Sequence, residues 1–315
     1  MKIIASTGNE DIAMVYIVDL DDNRLVECVE AVQPPIPREE KWVLMVSTMC
    51  GCPVGCAMCD AGGLYRGKLS ADEVFSQIDF LVKQRYPDFS IPSKQFKIQF
   101  ARMGEPTLNP AVLDVLGQLQ ERYNAPGMMP SFSTIAPAGR EEFFERLLEI
   151  KQDRYREGQF QFQFSVHTTD TKHRDEIIPV RKWGFDEMAA YGQRFYQPGD
   201  RKITLNFALA QDMPLDPEVL NNYFDPDLFL IKITPLNPTY RAKDSGLSSY
   251  IDPLGAGGDD YPIVKALRET GYQVILSIGE VEENYIGSNC GQYVQQHLQG
   301  KLGLDGGYTY EVVNL

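Results

Sequence analysis

Nothing in this 315-residue sequence is apolar for long enough to cross a bilayer, and the start, Met1-Lys-Ile-Ile-Ala5, lacks the extended apolar core of a secretory signal. No membrane partner is therefore expected. Cysteine is too sparse and too unevenly placed for a disulfide framework: four of the six lie within ten residues, which points to a reducing cytoplasm. Basic charge is scarce as well. Asp and Glu number 44 against 30 Lys and Arg, for a net charge of −14 and a pI near 4.7. A nucleic-acid binder usually carries a basic stripe to neutralise phosphates. Here the first forty residues hold nine acidic and three basic side chains, and DNA is not an expected partner. The one local basic patch comprises Lys172, His173, Arg174, Arg181 and Lys182. Repeats and low-complexity segments are absent. What is present is apolar content of 43%, enough for the core of one large α/β barrel or two modest domains.

Ala13 to Leu20 and Arg24 to Val32, joined by Asp21-Asp-Asn23, read as a β-hairpin with an Asx-rich turn. Pro34, Pro35 and Pro37 break the pattern, so residues 1–38 are assigned to an N-terminal hairpin extension and 39–315 to the main fold. From Trp42 onward strands and helices alternate. Strands are expected at 42–48, 96–101, 129–134, 160–166, 202–209, 228–234 and 273–277, and helices at 71–85, 110–123, 139–154, 185–197, 216–224 and 260–271. Ser70 and Glu73 form a capping box ahead of the first helix. Phe160, Phe162, Phe164 and Val166 alternate with Gln161, Gln163, Ser165 and His167. Parallel strands covered on both faces read as continuous apolar runs. Alternation instead predicts one face under helices and the other lining a polar interior, as in a barrel or half-barrel whose chemistry sits at the C-terminal strand ends.

Cys52, Cys56 and Cys59 spell C-x3-C-x2-C. Three thiolates on one loop can hold three irons of a four-iron cubane, leaving the fourth open to a small molecule. A zinc knuckle is the competing reading, but zinc favours paired C-x2-C units with a further Cys or His nearby, and Cys50 is only two residues from Cys52. Met103-Gly-Glu-Pro106 follows a strand; its glycine permits close backbone approach, and its carboxylate can accept from an ammonium group. Ser131-Phe-Ser-Thr134, Ser165-Val-His167 and Thr234-Pro-Leu-Asn-Pro238 end later strands.

With Asp22-Asn-Arg-Leu-Val-Glu27, Lys68-Leu-Ser-Ala-Asp-Glu73, Arg174-Asp-Glu-Ile-Ile-Pro179 and Asn289-Cys-Gly-Gln292, these pieces occur in the order found in the radical S-adenosylmethionine (SAM) methylases that modify C2 or C8 of adenosine in ribosomal and transfer RNA. The chain resembles that family from about Met14 to Gln299. The resemblance implies a partial (β/α)6 radical SAM barrel, a [4Fe-4S] cluster on Cys52, Cys56 and Cys59, and SAM bound by Gly104, Glu105, Ser133, Ser165, His167 and Asn237. It implies that Cys290 takes a methyl group from one SAM. A radical derived from a second SAM then removes hydrogen from that S-methyl, and the carbon radical adds to an sp2 carbon. A thiolate suits the first step because sulfur is strongly nucleophilic. Glu27 matches the family's proton acceptor, and an electron donor of flavodoxin or ferredoxin type is implied.

The sequence also departs from the family. The family carries a helical RNA-contacting domain ahead of the hairpin, whereas here the hairpin begins almost at Met1. The family's resolving cysteine, seven residues before the first cluster ligand, is Met45 here, and a thioether cannot form a disulfide. Gly62-Gly-Leu-Tyr-Arg66 replaces the family's Lys-Gln-Gly-Phe, and the stretch from Gly279 to Cys290 is about four residues longer than the pattern. These departures and the acidic charge favour a small nucleobase-like or secondary-metabolite substrate over ribosomal RNA. The alternatives are adenosine methylation in RNA, and radical hydrogen abstraction, rearrangement or cyclisation without methyl transfer. An iron–sulfur sensor or scaffold, the non-enzymatic reading, would need neither Glu105 nor Asn237.

Overall fold

The computed structural model describes all residues except 22, 64, 253–260, 290–292, 295–303 and 305–306. Three antiparallel strands, β1 (Lys2–Asn9), β2 (Ala13–Asp19) and β3 (Leu25–Ala31), lead into β4 (Lys41–Val46). The short strands β5 (Met49–Cys50) and β6 (Gly67–Lys68) pair with each other and bracket the cysteine loop. There follow α1 (Ala71–Lys83), β7 (Gln95–Phe100), a 3-10 turn at Pro106–Leu108, α2 (Ala111–Arg122), β8 (Met128–Thr134), α3 (Glu141–Arg154) and β9 (Gln161–Ser165). Then come α4 (Thr171–Ile177), α5 (Phe185–Phe195), β10 (Ile203–Leu209), α6 (Pro217–Tyr223), β11 (Phe229–Pro235), α7 (Tyr240–Asp244), α8 (Pro262–Glu269) and β12 (Val274–Leu276). The chain ends with α9 (Val281–Ile286) and β13 (Val313–Asn314).

One eleven-stranded sheet runs β12-β11-β10-β9-β8-β7-β4-β3-β2-β1-β13. The seven strands from β4 to β12 are parallel and joined by six crossovers, and among the described residues the sheet does not close on itself. This is the expected α/β partial barrel, extended by the N-terminal strands. The hairpin joins the barrel sheet directly through antiparallel pairing of β3 with β4, at Val29 with Met45 and Ala31 with Val43. Four described strands are additional to the sequence expectation: β1, the two-residue β13 that pairs with it, and the short pair β5 and β6.

The alternation read from the sequence has the expected physical basis. Phe96, Ile98 and Phe100 of β7, Phe162 and Phe164 of β9, and Leu205 and Phe207 of β10 are fully buried, while the residues between them are half-buried. The buried set packs beneath the helices, with Phe132, Phe144, Phe162, Tyr191 and Phe195 forming an aromatic cluster between the sheet and α3 and α5. Burying each such ring stabilises the fold by about 1.5–3 kcal/mol, so this face decides how the helices dock. The capping box of α1 forms as expected, and its Glu73 also pairs with Arg24, tying the hairpin to the first helix.

Candidate functional site

The cysteine loop leaves β4 at its C-terminal end and is held from two sides. Thr48 and Met49 donate their backbone N–H groups to the Met103 carbonyl, at 2.8 and 3.1 Å. Gly104 follows with φ +101°, and a Cβ there would lie 2.7 Å from Met49 Cβ and 2.8 Å from Thr48 Oγ1. Only glycine satisfies both the left-handed backbone and this contact. From the other side, Thr239 Oγ1 donates to the Met58 carbonyl at 2.8 Å, Arg241 Nε to that of Cys56 at 3.0 Å, and Arg241 Nη2 to that of Gly55 at 2.8 Å. Asp60, next to Cys59, accepts from the N–H of Tyr240 and Arg241 and from the Tyr308 hydroxyl. The segment that follows Asn237 is thus stapled to the loop.

Cys52, Cys56 and Cys59 are partly buried thiols. Burial, Cys52 and Glu105 push the Cys56 thiol up to about 12, and burial raises Cys52 in the same direction. Thiols so placed ionise when a cation compensates them, and sulfur donors suit iron, so the residue set fits the implied cluster. Among the described residues no three His, Cys, Asp or Glu side chains gather as the ligands of a single ion.

Glu105 is buried and caps the 3-10 turn. Its Oε1 accepts from Thr107 N at 3.2 Å, Thr107 Oγ1 at 2.7 Å and Thr134 Oγ1 at 2.6 Å, and its Oε2 from Ile135 N at 3.0 Å. A carboxylate has about four acceptor sites, two per oxygen, so Oε1 is saturated and Oε2 retains room for one donor. Burial raises its pKa, and these hydrogen bonds oppose the rise. Ser133 Oγ accepts from Gln163 Nε2, while Ser165 closes β9 in register with Asn206. His167 has φ +68° and accepts the Ala208 N–H at Nδ1, 3.1 Å away. Burial, with Arg174 nearby, pulls it down to about 4, so the imidazole is neutral and its Nε2–H is the donor. Gly104, Glu105, Ser133, Ser165, His167 and Asn237 therefore all lie at the C-terminal strand ends or in the turns after them.

Glu27 is completely buried and ion-paired with Arg102, whose side chain is equally buried. Arg102 Nε donates to Glu27 Oε2 at 3.0 Å, Nη1 donates to the carbonyls of Ser288 and Asn289 at 2.9 and 3.0 Å, and Nη2 to that of Gly287 at 3.0 Å. Glu27 Oε1 accepts the Val294 N–H at 2.7 Å. Cys290, Gly291 and Gln292 lie outside the described residues. Both described flanks of that stretch are fixed to the Glu27–Arg102 pair. Sequence reasoning missed Arg102, Asp60 and Arg241; a cation directly before Met103-Gly-Glu-Pro106 was the available signal.

Met45 lies on the half-buried face in register with Gln99 and Val29. Cys28 is on β3 in register with Tyr16, its thiol raised far above the usual range by burial. Cys50 is buried, donates to the Leu25 carbonyl at 3.3 Å, and is raised for the same reason.

No family model matches the chain. It is 27% identical over 238 residues to the probable dual-specificity RNA methyltransferase RlmN of Desulfitobacterium hafniense (strain Y51), covering 73% of this chain and 64% of that one. To the protein of the same name from Synechococcus sp. (strain RCC307) it is 26% identical over 301 residues, covering 93% and 79%. The chain spans 64% and 60% of the two Desulfitobacterium relatives, less than two thirds of their length. Its fold superimposes on a radical SAM methyltransferase from Sphaerobacter thermophilus with a TM-score of 0.69 at 20% identity, over 88% of this chain and 76% of that one. The chain is thus a homologue of proteins named RlmN, and its fold is that of a radical SAM methyltransferase.

Proposed function

We propose that this chain is a radical SAM enzyme that passes a one-carbon unit through Cys290 to an sp2 carbon of a small substrate. Cys52, Cys56 and Cys59 would hold the cluster, and Gly104, Glu105, Ser133, Ser165, His167 and Asn237 would hold SAM. Bound together, these cofactors supply a transferable methyl group and one-electron cleavage to an organic radical. The observation that carries the reading is the Glu27–Arg102 pair. It fastens residues 287–289 and 294, the two flanks of Cys290, beside the turn that contains Gly104 and Glu105.

In this reading Glu105 Oε2 orients the ammonium group of SAM, and the neutral His167 donates from Nε2 without adding charge. Glu27 acts as a positioning residue. Its carboxylate is engaged on both oxygens, so a role as proton acceptor would require it to leave Arg102 or Val294 first. RNA methylation is the second reading, favoured by the names of the curated relatives.

The test is mass analysis of the reconstituted protein after incubation with SAM and a reductant. A methyl group on Cys290 together with released 5′-deoxyadenosine supports the proposal. A persistently bare Cys290 thiol with 5′-deoxyadenosine formed would assign the chain to radical chemistry without methyl transfer. No 5′-deoxyadenosine at all would leave an iron–sulfur sensor.

A further inference from the structure

Register places a mostly polar row on one face of the sheet. Lys97 and Gln99 of β7 stand beside Met129 and Ser131 of β8; Ser131 and Ser133 stand beside Gln161 and Gln163 of β9; Asn206 of β10 stands beside Lys232 of β11. Lys97 makes no hydrogen bond or ion pair among the described residues. Among the described residues its charged neighbours are cations: Lys232 on β11, which has a further partner of its own, Lys41 at the start of β4, and Arg201 just ahead of β10. Glu283 of α9 is an acid nearby, coupled to Lys41 and Lys232.

A second observation is independent of charge. Ser131 Oγ and Gln163 Oε1, both on this face, are buried without a hydrogen-bond partner. A buried polar atom left unpaired costs about 1–3 kcal/mol, so such atoms are normally satisfied unless a ligand is to supply the partner. Gln163 Nε2 is already committed to Ser133, which leaves its Oε1 as a fixed acceptor.

We infer that this face is a binding site for a small polar anion, in which Lys97 holds an oxyanion, carboxylate or phosphate, while Ser131 donates to the ligand and Gln163 accepts from a hydroxyl or amino group on it. The inference rests on the small-substrate reading and names its chemical class. It also gives the inner face a role that the acidic exterior cannot play: a chain with a net charge of −14 repels polyanions, yet presents cations inside its sheet to a ligand small enough to enter.

Burial, Lys232, Lys41 and Arg201 bring Lys97 down to about 7, so it is charged at mildly acidic pH and neutral above. Burial raises Glu283, whose deprotonation as pH rises adds a competing negative charge. Both changes weaken anion binding in the same direction.

The experiment is calorimetric titration of the cluster-containing protein, without SAM or reductant, using ribose, ribose 5-phosphate and gluconate as probes. At least one anion should bind ten or more times tighter than ribose. Preference for ribose 5-phosphate identifies a phosphate ligand, and preference for gluconate a carboxylate. Lys97→Met should reduce that affinity at least tenfold. Gluconate, ionised throughout, should bind more weakly at pH 8.5 than at pH 6. Lys97→Met should also melt higher than the parent protein at pH 6, since it removes a poorly solvated charge. Anions that bind no tighter than ribose, or bind Lys97→Met unchanged, would overturn the inference, as would a Lys97→Met protein that melts lower. The Cys290 methyl assay needs none of these ligands, so its failure and this one are distinguishable.

Discussion

Surroundings divide the thiols of this chain. Cys52, Cys56 and Cys59 share one loop whose carbonyls are tied to Thr239 and Arg241, whereas Cys28 is sealed in the sheet and Cys50 is bonded to the Leu25 carbonyl. Cys52→Ala, Cys56→Ala and Cys59→Ala should each abolish the visible absorbance of the reconstituted cluster, since each removes one iron's protein ligand. Cys50→Ala should leave it intact, and loss of absorbance there would reassign the ligands. If the proposed transfer through Cys290 forms a covalent intermediate, its release should not need a thiol, because Met45 stands where the resembled family has its resolving cysteine and burial raises both spare thiols. The Cys28→Ala, Cys50→Ala double variant should therefore still release product under turnover. An enzyme–substrate adduct trapped in either single variant would show a relocated resolving cysteine. For Glu105 the informative change is to glutamine, which keeps the acceptor for Thr134 and Thr107 but removes the charge. A charge-assisted bond to an ammonium group is worth about 1.5–3 kcal/mol, so Glu105→Gln should weaken SAM binding about ten- to a hundredfold at unchanged iron content. An unaltered dissociation constant would remove Glu105 from the cofactor site.

At the scale of elements, the Glu27–Arg102 pair does what no secondary-structure pairing does. It joins β3, the turn after β7, and the segment that follows α9, through contacts between residues 75 and 187 positions apart. Removing one partner of a buried ion pair costs about 3–5 kcal/mol, mostly because the other charge is stranded, whereas an apolar pair of similar size can be nearly neutral. Arg102→Met should accordingly lower the unfolding free energy by about that amount, and the double variant Glu27→Leu, Arg102→Met should recover much of it. Neither should methylate Cys290 at the parent rate, because the three carbonyls of residues 287–289 lose their common donor in both. Full methylation in the stable double variant would show that the pair is structural only. Gly104 carries the same lesson on a smaller scale: a turn between two elements is set by how closely Thr48 and Met49 approach it.

For the molecule as a whole, charge separates the two substrate readings. Few phosphates can be neutralised by a surface with fourteen net negative charges, so binding to ribosomal RNA fragments should be weak and should fall steeply with salt. Tight, sequence-selective binding at physiological salt, measured by filter retention or anisotropy, would favour RNA as substrate. The strands from β7 to β11 were legible within one or two residues, because alternation of buried apolar with half-buried side chains is written in most of these short segments. β13 was not, since two exposed residues pairing through backbone atoms leave no pattern in side chains, and α4, α7 and α9 are too short to show a period. By itself the sequence determined the fold class, the three clustered thiols and the order of the candidate SAM residues, because spacing within a loop and periodicity along a strand are local properties. Only the tertiary structure decided that Glu27 is buried against Arg102, that the flanks of Cys290 hang from that pair, and that Lys97 faces other cations beside unpaired Ser131 and Gln163 atoms. Those are matters of desolvation and of contact between distant residues, which exist only once the sheet has assembled.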